Sequence, residues 1–238
     1  MIDTDERDVG VGLINVVQIE PQDIAVESTI GYGSFAIVSK VRLSPSLESR
    51  GALPTDCNYA LKRIRGKTKR GDRHKSHADI IQATLDLKTE VNLLSRIIPR
   101  HENLVHLYGV STAITMQQTF NAASDNDCFV LLELLQEDTL KNKIDRLRRK
   151  ESLRSMLTGG RASPLVEYDS VINRISTIGI GIAKGMEHIH SYNVILRDLK
   201  PDNIGFCVKT GQPKIFDLCF ARHADALSRT TEVAGTLR

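Results

Sequence analysis

The first clear pattern in the chain is an alternation of apolar and polar positions that begins at Ile24. The segments IAVESTI, AIVSKVRL and CNYALKRI follow this alternation, and turn-forming residues separate them. A period of two is typical of antiparallel strands. Residues 1–23 have no clear period and are interpreted as a lead-in of uncertain structure. The pattern therefore predicts that three strands open the fold.

Helical spacing replaces this alternation between residues 78 and 98. Apolar residues recur every three or four positions from Leu87 to Ile98, Glu90 lies beside that stripe, and Pro99 marks its end. The pattern predicts a helix with Glu90 near its buried edge. The stretches HENLVHLYGV and CFVLLELL predict two more strands.

Two further helices are predicted in the second half of the chain. A charged helix is expected from residue 139 to about residue 150. Residues 168–191 predict a buried helix, because isoleucines recur at intervals of three or four from Ile172 onward. Its glycines, in GIGIAKG, look like a dinucleotide-binding fingerprint, but no strand precedes them. We interpret them as positions of close helix packing.

Three polar segments are expected to be exposed insertions, at residues 44–57, 65–77 and 151–166. The second is strongly basic, with the sequence RGKTKRGDRHKSH. It is interpreted as a solvated insertion, and a nuclear-targeting or docking patch is the alternative.

Composition narrows the class of protein. The 238 residues are 41% hydrophobic, which suits one large domain or two lobes that share a cleft. The net charge of +3 arises from 32 basic and 29 acidic residues, so neither nucleic acid nor membrane is expected as a partner. Four cysteines without a Cys-x-x-Cys pair and no secretory signal indicate the cytoplasm or the nucleus. The oligomeric state is left open.

A glycine pair and a strand lysine are the first candidates for chemistry. Residues 30–38 read IGYGSFAIV, and Gly31 and Gly33 lie between two predicted strands. Glycines there would let the backbone approach phosphate groups, although a plain hairpin turn has a similar sequence. Lys62 stands among apolar neighbours on the third strand and needs a partner such as Glu90. A surface lysine on an edge strand is the alternative.

The most specific string is LRDLKPDN at residues 196–203. Asp198 and Asn203 are five positions apart, so one loop can direct one toward a hydroxyl proton and the other toward a metal ion. Asp217 follows on the next predicted strand in the sequence KIFD. An acidic surface loop is the alternative, and this combination disfavours it.

These motifs occur in the same order as the signature motifs of the eukaryotic-type protein kinase family, which the chain resembles. The resemblance covers the chain from about residue 24 to the end. The resemblance implies an α+β, bilobal fold with an N-lobe antiparallel β-sheet plus one helix, and a mainly helical C-lobe. The expected boundaries are a lead-in at 1–23, the N-lobe and hinge at 24–135, and a partial C-lobe at 136–238. The family continues with an Ala-Pro-Glu segment and several helices, so the chain is expected to be truncated before the end of the C-lobe.

The resemblance also implies ATP and Mg²⁺ as cofactors. Gly31 and Gly33 are expected to fold over the phosphates, Lys62 to hold the α- and β-phosphates, and Glu90 to fix Lys62. Residues 132–135 would form the hinge that pairs with the adenine edge, with Leu132 guarding the inner pocket. The residues expected to contact the nucleotide are Ile30, Gly31, Gly33, Val38, Ala60, Lys62, Glu133 and Leu135.

Matching positions in the catalytic loop imply a protein substrate with a Ser or Thr hydroxyl. Asp198 is expected to be the catalytic base and Lys200 to neutralise the γ-phosphoryl group, while Asn203 and Asp217 hold Mg²⁺. Lys200 resembles the serine/threonine-specific members, and Gly235-Thr236 supports this assignment. Arg197 would pair with a phosphorylated residue of the activation segment. The candidates for that residue are Ser228, Thr230 and Thr231.

Some departures from the family pattern are conservative. Ala36 replaces the third glycine and is expected to be tolerated if its backbone angles are ordinary. Leu196 and Leu218 replace a histidine and a phenylalanine. Together with Leu94 and Leu107 they are expected to form an all-leucine stack that links the lobes.

Two other departures favour a different class of function. Cys219 stands in place of a glycine, where left-handed backbone would cost about 1 kcal/mol or more. Gly205 stands where the family places a leucine beneath adenine, so that floor is expected to be thin. Both favour the alternative of a pseudokinase or nucleotide-binding scaffold. A small-molecule kinase is disfavoured because its glycine motif should open a helix, and metal roles for the pairs His74/His77 and His188/His190 are disfavoured by their surroundings.

Overall fold

The computed structural model describes residues 16–33, 36–55, 57–64, 77–97, 99–115, 128–158 and 165–227. The basic insertion at 65–77 therefore lies outside the described residues, except for the backbone of His77. The smaller lobe is built on one six-stranded sheet. Its strands are β1 (Val17–Ile19), β2 (Ile24–Tyr32), β3 (Ala36–Leu43), β4 (Tyr59–Ile64), β5 (Leu107–Ser111) and β6 (Phe129–Glu133).

The sheet has the order β1-β5-β6-β4-β3-β2. All neighbouring pairs among β2 to β6 are antiparallel, as the alternating pattern predicts for β2 to β4, but β1 pairs parallel with β5. This edge strand comes from the segment interpreted as a lead-in. Gly109 allows the pairing, because a Cβ at that position would overlap Ile19, which is fully buried.

Both faces of the sheet are covered, which explains the unbroken apolar run of β6. Val130 and Leu132 pack in a cluster with α2 (His77–Arg96), whereas Leu131 packs in a second cluster on the other face.

Leu47 and Leu53 belong to that second cluster. The prediction of an exposed insertion at 44–57 is therefore wrong at these residues, because helix α1 (Pro45–Ser49) buries Leu47 and the segment that follows it buries Leu53. A short helix, α3 (Thr112–Thr115), follows β5.

The larger lobe, over its described residues, contains two long helices and two short antiparallel strand pairs. Helix α4 continues into the region predicted as an exposed insertion at 151–166 and ends at Thr158, beyond the predicted end near residue 150. Ser152 is exposed as expected, and residues 159–164 lie outside the described residues. The elements of this lobe are α4 (Leu140–Thr158), α5 (Leu165–Ser191), β7 (Val194–Ile195), β8 (Ile204–Phe206), β9 (Pro213–Ile215), β10 (Arg222–His223) and α6 (Ala224–Leu227).

The described side chains of helix α5, which begin at Ile172, are buried only toward its C-terminal end. Ile189 is fully buried, but Ile172 and Ile175 are 42% and 62% exposed, so the prediction of a buried helix is wrong at these two residues. Close packing is confirmed at Gly181 and Gly185 but not at Gly179, where an added Cβ would meet nothing within 4 Å. A Cβ at Gly181 would lie 2.5 Å from Pro213 Cγ, so only glycine lets α5 approach β9 this closely.

Leucines link the cores of the two lobes, as expected. Leu94 packs against the N-lobe cluster that contains Leu107 and also against the C-lobe cluster that contains Leu196 and Leu218. The helix that carries Glu90 is thus anchored to the segments that carry the catalytic-loop and metal-site candidates. None of the described helices has the length and apolar character needed to cross a membrane.

Two glycines of α5 provide a matched test of this packing. Gly179→Ala should stabilise the fold by about 1 kcal/mol, because alanine favours helix and a Cβ there meets nothing within 4 Å. Gly181→Ala should destabilise it by about 1–3 kcal/mol through overpacking against Pro213. Urea denaturation of the two variants measures both effects, and equal effects of the same sign would contradict the packing described.

Candidate active site

The glycine-rich segment is the turn between β2 and β3. Gly33 N–H donates to the Ala36 carbonyl at 2.8 Å, and Ala36 keeps an ordinary negative φ, so its substitution is tolerated as expected. Gly31 lies opposite Val38, and a Cβ added to Gly31 would be 3.6 Å from Val38 Cβ. Val38 in turn pairs with Lys62. The hairpin, including the half-exposed Ile30, is thereby held directly beside the strand lysine; Ser34 and Phe35 at its tip lie outside the described residues.

Lys62 joins the two lobes through two carboxylates. Its Nζ lies 2.6 Å from Glu90 Oε2 on α2 and 2.9 Å from Asp217 Oδ1, which follows β9. Glu90 is 1% exposed. Burial disfavours the ammonium form of Lys62, but the two carboxylates outweigh it and raise the pKa of Lys62 well above its ordinary value. Lys62 is therefore charged and fixed in the cleft.

Asp217 has a strained backbone and an ionised side chain. Its φ is 65°, in the left-handed region that non-glycine residues rarely adopt, and such strain is concentrated at functional sites. Burial would raise the pKa of Asp217, but Lys62 outweighs burial and lowers it. The charged carboxylate suits a cation ligand.

Cys219 does not carry the backbone penalty expected for it. The described non-glycine residues with positive φ are Asn193, Arg197 and Asp217, so Cys219 has no left-handed strain. Its thiol lies close enough to the Asp217 carboxylate to hydrogen-bond it, and burial raises the pKa of this thiol. Cys219 is accordingly a neutral donor beside a candidate metal ligand.

The catalytic-loop candidates converge on the same region. Asp198 Oδ2 lies 2.7 Å from Lys200 Nζ and accepts a hydrogen bond of 3.1 Å from Asn203 Nδ2. The Asn203 carbonyl accepts a hydrogen bond of 3.0 Å from the N–H of Phe216, the residue before Asp217. One cleft thus contains a fixed lysine, a second lysine, two carboxylates and an amide.

The hinge follows β6 and contacts both lobes. Leu134 N–H donates to the Asn58 carbonyl at 3.1 Å, while Gln136 N–H donates to the Phe206 carbonyl at 2.8 Å. Ala60 and Leu132, expected at the base site, are both buried. Leu135, also expected there, lies between these two attachments.

The side chain of Glu133 forms an ion pair that sequence reasoning missed. Lys214 Nζ lies 2.8 Å from Glu133 Oε2 and donates to the Leu104 carbonyl at 3.1 Å, and Lys214 is only 3% exposed. His106 Nδ1 lies 3.6 Å from the same Glu133 oxygen. The available signal was a lysine among apolar strand residues in PKIF, the same signal that identified Lys62.

The floor beneath the expected base site is filled. A Cβ at Gly205 would lie 2.5 Å from Leu135 Cδ1, so the hinge side chain occupies the space that a larger residue at 205 would need. Whether the floor is thin therefore stays a prediction, because the Leu135 side chain already occupies this space.

Two further candidates, His188 and Arg197, contact backbone carbonyls in the structure. His188 Nε2 lies 3.0 Å from the Pro99 carbonyl, and its ring stacks on His101 at 4.7 Å, which is a packing role. Arg197 Nε donates to the Phe220 carbonyl at 2.7 Å. The phosphorylation candidates Ser228, Thr230 and Thr231, the Gly235-Thr236 pair and His74 lie outside the described residues.

Comparison with known proteins agrees with this fold. The family model for the protein kinase domain matches residues 24–238. The chain belongs to the protein kinase family. A probable serine/threonine-protein kinase of Dictyostelium discoideum is 27% identical over 223 residues, which is 94% of this chain and 13% of that protein.

Two vertebrate relatives match shorter regions. Serine/threonine-protein kinase 16 of Mus musculus is 29% identical over 119 residues, which is 50% of this chain and 31% of that protein. Inhibitor of nuclear factor kappa-B kinase subunit alpha of Xenopus laevis is 39% identical over 75 residues, which is 31% of this chain and 10% of that protein. The chain therefore spans less than a third of the length of each of these three relatives.

The Lys62–Glu90 pair predicts a pH dependence in one variant. Lys62→Met would leave the Glu90 carboxylate buried without this ammonium, and burial would then hold its pKa above the ordinary value of about 4.3. The folded form would bind a proton that the unfolded chain releases. Stability should therefore fall as the pH rises above that value, by up to about 1.4 kcal/mol per pH unit.

Urea denaturation between about pH 5 and about pH 8 measures this slope. The double variant Lys62→Met/Glu90→Gln is the matched control, because it has no carboxyl group to titrate at position 90. An equal slope in the two variants would contradict the assignment to Glu90.

Proposed function

We propose that this chain is the catalytic part of an ATP- and Mg²⁺-dependent protein kinase that phosphorylates Ser or Thr hydroxyls. The observation that carries the proposal is the convergence of Lys62 and Asp217, 2.9 Å apart, with Asp198 and Asn203 in one cleft. These groups come from both lobes and from segments far apart in the sequence. A packing role alone would not require so many charged groups at one place.

The described residues fit a nucleotide with a divalent cation. Lys62 and Lys200 supply positive charge for phosphate oxygens, and Asp217 and Asn203 supply the oxygen ligands that Mg²⁺ prefers. Among the described residues, no backbone hydrogen bond uses the N–H of Leu135, so this donor is available for the edge of a base. When bound, ATP with Mg²⁺ supplies the γ-phosphoryl group and neutralises part of its charge.

The catalytic-loop residues then act on the acceptor hydroxyl. Asp198 accepts the hydroxyl proton as the oxygen bonds to phosphorus and the bond to the leaving diphosphate breaks. Asn203 holds the Asp198 carboxylate through its 3.1 Å hydrogen bond. Lys200, 2.7 Å from Asp198 Oδ2, is close enough to stabilise negative charge on the transferred group.

Specificity for Ser and Thr is supported by Lys200, which matches serine/threonine-specific members, and by two relatives that are named as serine/threonine-protein kinases. A cytoplasmic or nuclear location is part of the same proposal. All four cysteines belong to the described residues and none forms a disulfide, which suits a reducing compartment.

Asp198→Asn tests the base. The variant should reduce the rate of phosphate transfer by about 10²–10⁴-fold while the ATP affinity changes by less than about threefold, because the amide keeps the shape but accepts no proton. Asp202→Asn is the control, since Asp202 is exposed on the same loop. Undiminished transfer by Asp198→Asn would show that another group is the base.

The acceptor class is tested by mass spectrometry of a generic protein substrate after incubation with ATP and Mg²⁺. Phosphate is expected on Ser and Thr and not on Tyr. Phosphotyrosine as the main product would contradict the specificity proposed. Binding of ATP by the unaltered chain without any transfer would instead support a nucleotide-binding scaffold.

A further inference from the structure

The position of Gly205 identifies which side of β8 faces the cleft. Successive residues of a strand point to opposite faces. Ile204 is 1% exposed and belongs to the C-lobe core. Residue 205 therefore faces away from that core, toward the hinge and the N-lobe. A side chain at 205 would therefore enter the space between the lobes.

That space is filled from the hinge. A Cβ at Gly205 would lie 2.5 Å from Leu135 Cδ1, 3.4 Å from Leu135 Cβ and 3.3 Å from Phe216 Cε1. Leu135 and Phe216 are only partly buried, and both pack against the N-lobe cluster. Leu135 thus lies over the bare backbone of β8 and keeps part of its surface in the cleft.

Backbone contacts hold Leu135 in this place. Leu135 forms a β-bridge with Cys207, and the neighbouring Gln136 donates to Phe206 from its N–H and to Cys207 from its side chain, at 2.8 Å and 3.1 Å. The hinge is therefore attached to β8 on the C-terminal side of Leu135. This attachment places the leucine side chain over Gly205.

We propose that the Leu135 side chain forms the floor of the base site. Residue 205 is a glycine because this leucine fills the space that a larger side chain at 205 would occupy. The inference rests on the proposed function: phosphates near Lys62 and Asp217 direct the rest of the nucleotide toward the hinge. The ligand class is a purine nucleoside or nucleotide. The base lies between Val38 and Ala60 on one side and Leu135 on the other, with Phe216 extending the apolar floor toward Asp217.

If either residue 135 or residue 205 can supply the floor, the effects of substitutions at the two positions on adenosine affinity should not be additive. Leu135→Ala removes the floor, and Gly205→Leu forces a second side chain into the space that Leu135 fills. Each should weaken binding of adenosine by about tenfold. The double variant Leu135→Ala/Gly205→Leu supplies the floor from β8 and should bind adenosine within about threefold of the unaltered chain.

Leu134 provides the matched control. Its side chain lines a cavity of about 260 Å³ on another side of the hinge, together with Tyr108 and Lys214. Leu134→Ala removes the same number of atoms from the adjacent residue, but Leu134→Ala/Gly205→Leu should remain as weak as Gly205→Leu. Recovery in this control equal to that in the Leu135 pair would overturn the proposal.

Isothermal titration of the full chain with adenosine and with ATP–Mg²⁺ gives the readout. The fold-changes should be equal for both ligands, because the change lies at the base. Additive losses of about 100-fold in the double variant would overturn the proposal. If Gly205→Leu does not fold, the pair Gly205→Ala and Leu135→Val tests the same exchange with smaller changes in side-chain volume. Additive effects of these two substitutions on adenosine affinity would also overturn the proposal.

The same titration separates this proposal from the function on which it rests. Lys62→Met should weaken binding of ATP–Mg²⁺ more than binding of adenosine, because the ammonium group that it removes faces the phosphates. Adenosine binding with the expected cycle but without phosphate transfer would support Leu135 as the floor and contradict the kinase activity. Transfer by the unaltered chain together with an additive cycle would support the activity and overturn the assignment of Leu135.

Discussion

Lys62 carries the interaction on which the arrangement of the cleft depends. Its ammonium group contacts Glu90 on α2 and Asp217 in the segment after β9. One cation on β4 thus holds the N-lobe helix α2 against a loop of the C-lobe. Three charged groups so close together are stable only while each is compensated. The same compensation keeps Asp217 ionised in a strained backbone conformation. The fold therefore maintains a charged site that packing alone would not favour.

A second set of contacts fixes the lower side of the cleft. The 3-10 turn at Pro201–Asn203 brings Asn203 back onto Asp198, and the Asn203 backbone bonds to Phe216. The catalytic loop and the segment of Asp217 consequently behave as one unit. Behind them, the glycines of α5 let that helix approach β9 and Asn103 closely, which gives this unit a rigid support.

Much of this arrangement could be predicted from the sequence. Alternation predicted β2 to β4, and the stretches HENLVHLYGV and CFVLLELL predicted β5 and β6. The motifs, taken together, predicted that Lys62, Glu90, Asp198, Asn203 and Asp217 share a cleft. The failures concern tertiary contacts. A polar-looking segment at 44–57 contributes two core leucines, and the periodic isoleucines at the start of α5 lie exposed, because periodicity shows which residues share a face and not what packs on it. The place of Leu135 over Gly205 depends on a non-local approach of hinge and strand, which no local pattern encodes.

The parallel strand β1 has a consequence for how the small lobe meets other molecules. A sheet normally presents unpaired amide and carbonyl groups along its two outer strands, and these can recruit strands from other chains. Here β1 occupies one outer position with only three residues. The opposite outer strand, β2, is interrupted by two register irregularities and carries Glu27 in an ion pair with Lys40. A short strand on one side and a bulged, charged strand on the other make strand addition unfavourable, so contacts of this lobe with partners should use side chains and not backbone pairing.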